Sequence, residues 1–400
     1  MRLDFVFSAD VAEIRIGTSG WSYSDWEGVF YKPGESKFQK YCRVFETVEI
    51  DSTFYSYPDP EMVEALAKSS PKGFLFSAKI PSMITHEKKL DLSKGVEKDL
   101  ERFLDLLEPL KHAGKLAALL IQLPPRYTYQ QKDALKGFLE ILPRDFRFAV
   151  EFRDPSLLRA DVLQTLSSYE VAYVIVDEPL LPPETHLTTS DFAYIRWHGR
   201  GKRPWYYYHY RREELEEWRP RLEEVSGRVK QVYGYFNNHF KGYAVHNALQ
   251  VLDILGIITP AQRRILEEVE KALSEPKAEA PTLAELLPPA KLPDTVEDML
   301  RILTDERRLA RARKIGGDLI EVEELGETRL TARVKDYKVI IDLERRIILH
   351  DCADWARVGM RLSLCKHVAA LMLHLESRHA KKILEDMIMN RGEWSFRELI

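Results

Sequence analysis

Short apolar runs alternate with longer amphipathic stretches up to about residue 250 of this chain. The short runs are rich in residues that favour strands, and the longer ones space their apolar residues as helices do. A regular succession of strand and helix is typical of a parallel sheet. The eight predicted strands are residues 14–18, 47–52, 74–79, 118–123, 147–152, 172–177, 192–198 and 231–237.

Eight strands in this rhythm favour a closed (β/α)8 barrel of the TIM type, a fold that usually takes about 250 residues. An open doubly wound sheet is the alternative, but neither a GxGxxG motif nor a P-loop follows any predicted strand. Active sites of TIM barrels lie at the C-terminal ends of the strands. The predicted fold class is therefore α/β, with the functional site at those strand ends.

A change in composition marks the end of the barrel. Five prolines fall within residues 275–293, which predicts a semi-rigid linker. A polar helical stretch over residues 295–314 follows, and then a β segment and an α segment. The predicted organisation is a barrel over residues 1–274, the linker over 275–293, and a small α+β domain over 294–400.

Charged residues recur at the C-terminal ends of the predicted strands. Because strand side chains alternate between two faces, Glu49 and Asp51 share one face, and Glu151 shares a face with Arg153. Such a cluster could bind a cation, carry out acid/base chemistry or hold phosphate, or it could be a structural ion network that closes the barrel. The candidate catalytic residues are Glu49, Asp51, Lys79, Glu151, Arg153, Asp177, Arg196 and His198.

Six ordered motifs over residues 14–250 resemble the YecE-like barrels, known as domain-of-unknown-function family 72. They are IGTSGWSYSDWEGVFY, VEIDSTFYSYP, FSAKIP, FAVEFRDPS, YIRWHGR and FNNHFKGYAVHNAL. The resemblance implies a TIM-type barrel with a polar pocket, without a settled reaction. The chain departs from the family pattern at Asp51, where Asn is usual, and at Asp154 and Leu157, where His and Trp are usual.

Further candidates for substrate binding flank the predicted strands. Trp21, Tyr23 and Trp26 could stack on a base or sugar, or could seal the barrel mouth. Asn237 and Asn238 could orient a substrate. Arg200 lies in residues 199–212, which interleave basic and aromatic residues as a lid or a single-strand binding segment would.

Two pairs of metal-binding residue types stand near the C-terminus. His350 and Cys352 are separated by one residue, as are Cys365 and His367, and twelve residues lie between the pairs. Four such ligands suit a tetrahedral zinc ion, although the cysteines could also be small buried core residues. Over residues 335–374 the pattern resembles a SWIM zinc finger, usually CxC followed by CxH, with His350 in place of the first cysteine.

Histidines are scattered in the barrel, so a multi-zinc centre is not expected there. One Mg or Mn ion on Glu49, Asp51, Glu151 or Asp177 stays open, as does metal-free chemistry with Lys79 and His198. Three cysteines exclude a disulfide framework, and no signal peptide or long apolar run is present. We expect a cytoplasmic protein without a membrane segment.

The resemblance to SWIM fingers implies DNA or a protein as partner. Basic residues 301–314 could contact phosphates, or could form a solvated face balanced by Glu297, Asp298, Asp305 and Glu306. The first hypothesis is a DNA-directed phosphodiesterase or nuclease linked to DNA repair, with single-stranded or damaged DNA among its substrates. The alternatives are an enzyme for a small phosphorylated or sugar-like substrate whose finger binds a protein, and a DNA-binding platform without catalysis.

Overall fold

The computed structural model of the chain describes residues 12–201, 206–274, 292–352, 354–355, 358 and 362–398. The chain divides into two compact units at Glu275 and Pro276. All but the last two residues of the predicted linker lie outside the described residues. Each unit has a hydrophobic core of its own.

The first unit contains a parallel sheet of eight strands among the described residues, in the order β1-β8-β7-β6-β5-β4-β3-β2. A bridge between Ser19 and Glu49 brings β1 beside β2 and completes the ring. The predicted TIM-type barrel is confirmed. The strands are β1 (Glu13–Thr18), β2 (Thr47–Ile50), β3 (Leu75–Lys79), β4 (Leu116–Gln122), β5 (Phe148–Glu151), β6 (Ala172–Asp177), β7 (Phe192–Trp197) and β8 (Gln231–Phe236).

Amphipathic helices cover the outside of the barrel. Their starts follow local rules, since Asp59 accepts a hydrogen bond from the Glu61 backbone and Pro60 opens the second helix. The helices are α1 (Lys37–Val44), α2 (Pro60–Ser69), α3 (Val96–His112), α4 (Lys132–Glu140), α5 (Ala160–Ser168), α6 (Arg212–Glu216), α7 (Trp218–Ser226), α8 (Tyr243–Ile254) and α9 (Pro260–Ser274). None of the described helices is both long enough and apolar enough to cross a membrane.

The second unit packs helices on a five-stranded sheet, ordered β13-β12-β11-β10-β9. The sheet is antiparallel except that β13 runs parallel to β12. Its elements are α10 (Val296–Leu303), α11 (Glu306–Ala312), β9 (Ile320–Leu325), β10 (Arg329–Val334), β11 (Tyr337–Asp342), β12 (Ile347–His350), α12 (Lys366–His374), α13 (Ser377–Met389) and β13 (Ser395–Glu398).

The helical stretch predicted over residues 295–314 is two helices. Thr304 and Asp305 separate α10 from α11, and both have extended backbone angles. Asp305 accepts a hydrogen bond from the Arg308 backbone and so caps α11. A capping residue in the middle of a periodic stretch therefore ended one helix and began another.

Candidate functional site at the barrel mouth and the metal-ligand cluster

A buried chain of alternating charges crosses the C-terminal end of the barrel. Glu49 on β2, Glu151 on β5 and Arg196 on β7 are fully buried. Arg196 Nη2 lies 2.7 Å from Glu49 Oε1, and its Nη1 lies 2.6 Å from Glu151 Oε2. Although burial opposes ionisation of Glu151, the charges of Arg153 and Arg196 hold its pKa well below the usual range. Arg196 therefore joins two buried carboxylates that come from two different strands of the barrel.

Arg153 extends this chain to a residue that we did not predict, Glu178. Arg153 Nε lies 2.5 Å from Glu151 Oε1, and its Nη1 lies 2.6 Å from Glu178 Oε2. We call the five residues Glu49, Arg196, Glu151, Arg153 and Glu178 the mouth ion chain. Burial raises the pKa of Glu178 to about 7 in spite of Arg153. Its Oε1 is buried and has no hydrogen-bond partner among the described residues.

Asp177 does not join the mouth ion chain. It lies on the outer face of β6, where its carboxylate accepts hydrogen bonds from the Trp218 indole at 2.7 Å and from Arg200. Residues of β6 alternate, so Glu178 shares the inner face with Val174 and Val176. This alternation was the sequence signal that could have identified Glu178, rather than Asp177, as the carboxylate inside the barrel.

Lys79 and Asp51 form a second pair beside the mouth ion chain. Lys79 Nζ lies 3.4 Å from Asp51 Oδ1 and 3.9 Å from the centre of the Phe54 ring. Burial lowers the pKa of Lys79; Asp51 opposes that shift and Arg196 adds to it. Burial would raise the pKa of Asp51, but the charges of Lys79 and Arg196 outweigh it and hold the pKa below its ordinary value. Asp51 keeps 24% of its side chain exposed and Lys79 keeps 8%, so the carboxylate of the pair faces solvent and the amine is buried.

His198 lies on the inner face of β7 and is neutral. The Asn237 amide donates to His198 Nδ1 at 3.0 Å, and His198 Nε2 lies 3.4 Å from Glu151 Oε1. Burial and the charge of Arg153 lower the pKa of His198 to about 3. The ring therefore acts at neutral pH as a hydrogen-bonding group that links Asn237 to the mouth ion chain.

The polar residues predicted to bind substrate lie on different faces of the barrel strands. Asn237 points into the barrel, but Asn238 donates to the Tyr208 carbonyl and to Asn247 on the outside. Arg200 pairs with Asp177 and with Glu217. The structure thus brings Asn237 to the mouth and places Asn238 and Arg200 in outer contacts.

The three predicted aromatic residues have different surroundings. Trp26 is fully buried, and its indole donates to the His239 carbonyl at 2.6 Å. Tyr23 stacks on the His239 ring at 4.5 Å, and Trp21 packs against Phe38. Trp26 therefore seals the barrel wall, and Tyr23 and Trp21 keep part of their surface exposed.

Among the described residues, one cluster of side chains could hold a metal ion, and this cluster lies in the second unit. The barrel carboxylates Glu49, Glu151 and Asp51 pair with Arg196, Arg153 and Lys79 instead. The Mg or Mn ion considered for the barrel stays a prediction, since these carboxylates are engaged by cationic side chains.

The cluster consists of His350, Cys352, Cys365 and His367, all buried, with their ligand atoms within 4.8 Å of one another. His350 Nδ1–H donates to the Lys338 carbonyl at 2.6 Å, which leaves Nε2 as the metal-facing atom. His350 Nε2 and His367 Nδ1 are buried and have no hydrogen-bond partner among the described residues. Two orphaned imidazole nitrogens beside two thiols fit the donor set of a tetrahedral metal site.

Of the six basic residues over 301–314, three are paired with acids: Arg301, Arg308 and Arg313. Arg301 contacts Glu297 and Asp298, and Arg313 contacts Glu306 at 3.3 Å. These pairs are those expected of a balanced, solvated face, whereas Arg307, Arg311 and Lys314 are exposed and are the residues that a phosphate could contact. Arg357 and Arg361, two further basic residues near the predicted finger, lie outside the described residues.

Comparison with known proteins places the barrel in a family. A family model described as "Protein of unknown function DUF72" matches residues 15–270. UPF0759 protein YunF of Bacillus subtilis (strain 168) is 28% identical over 271 residues, which span 61% of this chain and 95% of that protein. UPF0759 protein YecE of Escherichia coli (strain K12) is 30% identical over 155 residues, which span 38% of this chain and 54% of that protein.

A solved structure extends the likeness to the fold. The crystal structure of a DUF72 family protein from Thermotoga maritima superposes with a TM-score of 0.56 and 34% identity, and covers 61% of this chain and 99% of that one. These matches confirm the resemblance over the barrel. The resemblance of residues 335–374 to SWIM fingers stays a prediction.

Proposed function

The chain belongs to the DUF72 family, and from this premise we propose that its barrel is an enzyme that processes nucleic acid at the barrel mouth, as a nuclease or related repair enzyme would. The observation that carries the proposal is the mouth ion chain. Burying five charged side chains at one end of a barrel is costly, and TIM barrels concentrate such groups where they act. In the second unit, a zinc-binding module would contact DNA or a protein.

The exposure of the side chains suggests their roles. Arg153 retains 17% of its side-chain surface, so it is the cation of the mouth ion chain that a phosphate would reach. Lys79 retains 8% and lies beside Asp51. Asp51 is the accessible carboxylate and would accept or return a proton. Glu49 and Arg196 lie beneath them and would hold Glu151 and Arg153 in place.

Zinc is the metal that we propose for the cluster of His350, Cys352, Cys365 and His367. Two sulfur and two nitrogen ligands are a common set for structural zinc. The hydrogen bond from His350 to Lys338 is the kind of outer contact that orients a ligating imidazole. The metal would join β12 to the start of α12, and would thereby stabilise the second unit.

A small phosphorylated or sugar-like substrate is the second candidate. Arg153 is the one partly exposed cation of the mouth ion chain, and a single cation matches one phosphate better than a long strand, which favours a small ligand. The mutual ion pairs of the mouth ion chain would also suit a binding platform that performs no chemistry. Cleavage and binding assays separate these outcomes.

The test of nucleic-acid binding is fluorescence anisotropy of labelled single-stranded and double-stranded DNA with the full chain across a salt series. We expect Arg153→Gln to reduce the salt slope by about one, the value for one lost phosphate contact. Lys68→Gln is the matched control, because Lys68 is exposed on α2 and pairs with Glu64.

End-labelled DNA, analysed on denaturing gels, tests for cleavage in the same samples. Binding without cleavage would favour the platform. If neither form of DNA bound, the nucleic-acid proposal would be wrong. A thermal shift with phosphate or a sugar phosphate, but not with DNA, would favour the second candidate.

A further inference from the structure

Lys79 differs from the exposed lysines of the barrel. It is 6% exposed and lies at the inner C-terminal end of β3. Its amine contacts the Phe54 ring on one side and Asp51 on another. Lys68, by comparison, is an exposed helix residue that pairs with Glu64 across one turn. Burial of the amine away from water is a typical setting for a lysine that reacts.

We propose that Lys79 is a nucleophile that forms a Schiff base with a substrate carrying an aldehyde or ketone at the barrel mouth. This inference rests on the proposed function and narrows its substrate class. In a nucleic acid, the matching group is the opened sugar of a nucleotide that has lost its base. In a small molecule, it is the carbonyl of an open-chain sugar phosphate.

Three features of the structure support an amine nucleophile. The backbone of Lys79 is fixed, because Thr53 Oγ1 both donates to its carbonyl and accepts from its amide N–H. Burial of the amine, with the charge of Arg196 added, lowers the pKa of Lys79 although the carboxylates of Asp51, Glu49 and Glu151 oppose the shift. Asp51 is close enough to take the amine proton and exposed enough to exchange it with solvent.

The reaction balances with these two residues alone. The Asp51 carboxylate accepts one proton from the Lys79 ammonium, and the amine lone pair then forms a C–N bond as the carbonyl π pair moves to oxygen. A proton passes from nitrogen to that oxygen and gives a carbinolamine. Asp51 returns its proton to the hydroxyl group, water leaves, and the nitrogen lone pair forms the C=N bond of a protonated imine.

A permanent ammonium at Lys79 that only binds phosphate is the competing role. It predicts affinity without a covalent bond, so chemical trapping separates the two. Sodium cyanoborohydride transfers hydride to the imine carbon and leaves a stable secondary amine.

The experiment incubates the full chain with cyanoborohydride and one of two probes, a single-stranded oligonucleotide with one abasic site or deoxyribose 5-phosphate. Peptide mass mapping then locates the adduct. We expect the adduct to be enriched at Lys79 over the exposed Lys68. Lys79→Met should abolish that adduct, Lys68→Met should leave it, and Asp51→Asn should slow its formation.

The outcomes separate this inference from the proposed function. No enrichment at Lys79 with either probe overturns the inference, even if DNA binds. An adduct with the sugar phosphate alone supports the Schiff base and contradicts the nucleic-acid assignment. Because the adduct is located in the wild-type chain, the result does not depend on whether Lys79→Met folds.

Discussion

At the scale of single residues, Arg196 holds together two carboxylates that have no access to water. Its guanidinium contacts Glu49 and Glu151, and all three side chains are fully buried. Replacing one member of a buried ion network leaves its partners as uncompensated charges, which typically costs about 3–5 kcal/mol. Arg196 is therefore the position in the mouth ion chain where we expect substitution to cost most.

Arg196→Met should lower the free energy of unfolding by about 3–5 kcal/mol in urea titrations. Arg219→Met is the matched control, because Arg219 forms an exposed pair with Glu223 on α7. An exposed pair contributes at most about 1 kcal/mol. Equal losses in the two variants would show that the mouth ion chain does not stabilise the barrel.

The pKa of Glu178 near 7 makes stability depend on pH in a defined direction. The pKa of Glu178 is higher in the folded protein than in the unfolded chain. Its contribution to the free energy of unfolding is therefore present at low pH and is lost as the pH rises through about 7. Glu178→Gln removes the charge that burial disfavours. The free energy of unfolding of the variant, measured relative to the wild type, should increase by about 1–3 kcal/mol from pH 5 to pH 8.

Thermal unfolding of Glu178→Gln and wild type at both pH values measures this difference. Glu223→Gln serves as the control, since Glu223 is exposed on α7. A difference between variant and wild type that does not change with pH would contradict the assignment of a raised pKa to Glu178.

At the scale of elements, the close approach of β1 to β2 completes the barrel. A Cβ atom at Gly17 would lie 2.3 Å from the Thr47 carbonyl oxygen, which is backbone and cannot rotate away. Gly17 therefore permits the contact that brings Ser19 beside Glu49. The first glycine of the IGTSGW motif has a packing role at the seam of the barrel.

Gly17→Ala should destabilise the barrel by about 1–3 kcal/mol, the usual range for overpacking. Gly137→Ala is the matched control, because Gly137 lies within α4 with its nearest foreign atom at 3.6 Å from an added Cβ. Alanine in a helix should stabilise the control by up to about 1 kcal/mol. Urea denaturation of both variants tests whether the seam is as tight as the structure indicates.

At the scale of the whole molecule, the two units have separate cores and different means of stabilisation. The barrel contains a large apolar core, whereas the second unit encloses the buried ligand cluster within a smaller one. If zinc occupies the cluster, binding the metal stabilises the folded second unit. Metal removal should then affect one unit and spare the other.

Chelation, or Cys365→Ser, should lower the temperature of one calorimetric transition and leave the barrel transition in place. Native mass spectrometry should show one zinc ion per chain before treatment. Cys42→Ser is the matched control, because Cys42 lies in the barrel, far in sequence from the cluster, and should keep the zinc. Loss of zinc from the control, or no change on chelation, would contradict the proposed site.

The sequence alone was sufficient to predict the barrel fold and the location of most charged candidate residues at the barrel mouth. It was also sufficient to predict that His350, Cys352, Cys365 and His367 form one cluster. These features follow from local rules, since side chains along a strand alternate between two faces and a helix returns to the same face every 3.6 residues. The alternation of side chains along β6 also places Glu178, and not Asp177, on the inner face of the barrel. The positive φ of Gly199 then turns the chain, so parity no longer places Arg200.

Only the tertiary structure decided which charges meet. Arg196 could pair with Glu49 and Glu151 because β2, β5 and β7 converge from different parts of the ring. The same convergence decided that Lys79 is buried against Phe54 and Asp51. The tilt and stagger of a closed barrel fix such distances, and they depend on all strands together. No local pattern in the sequence contains that information.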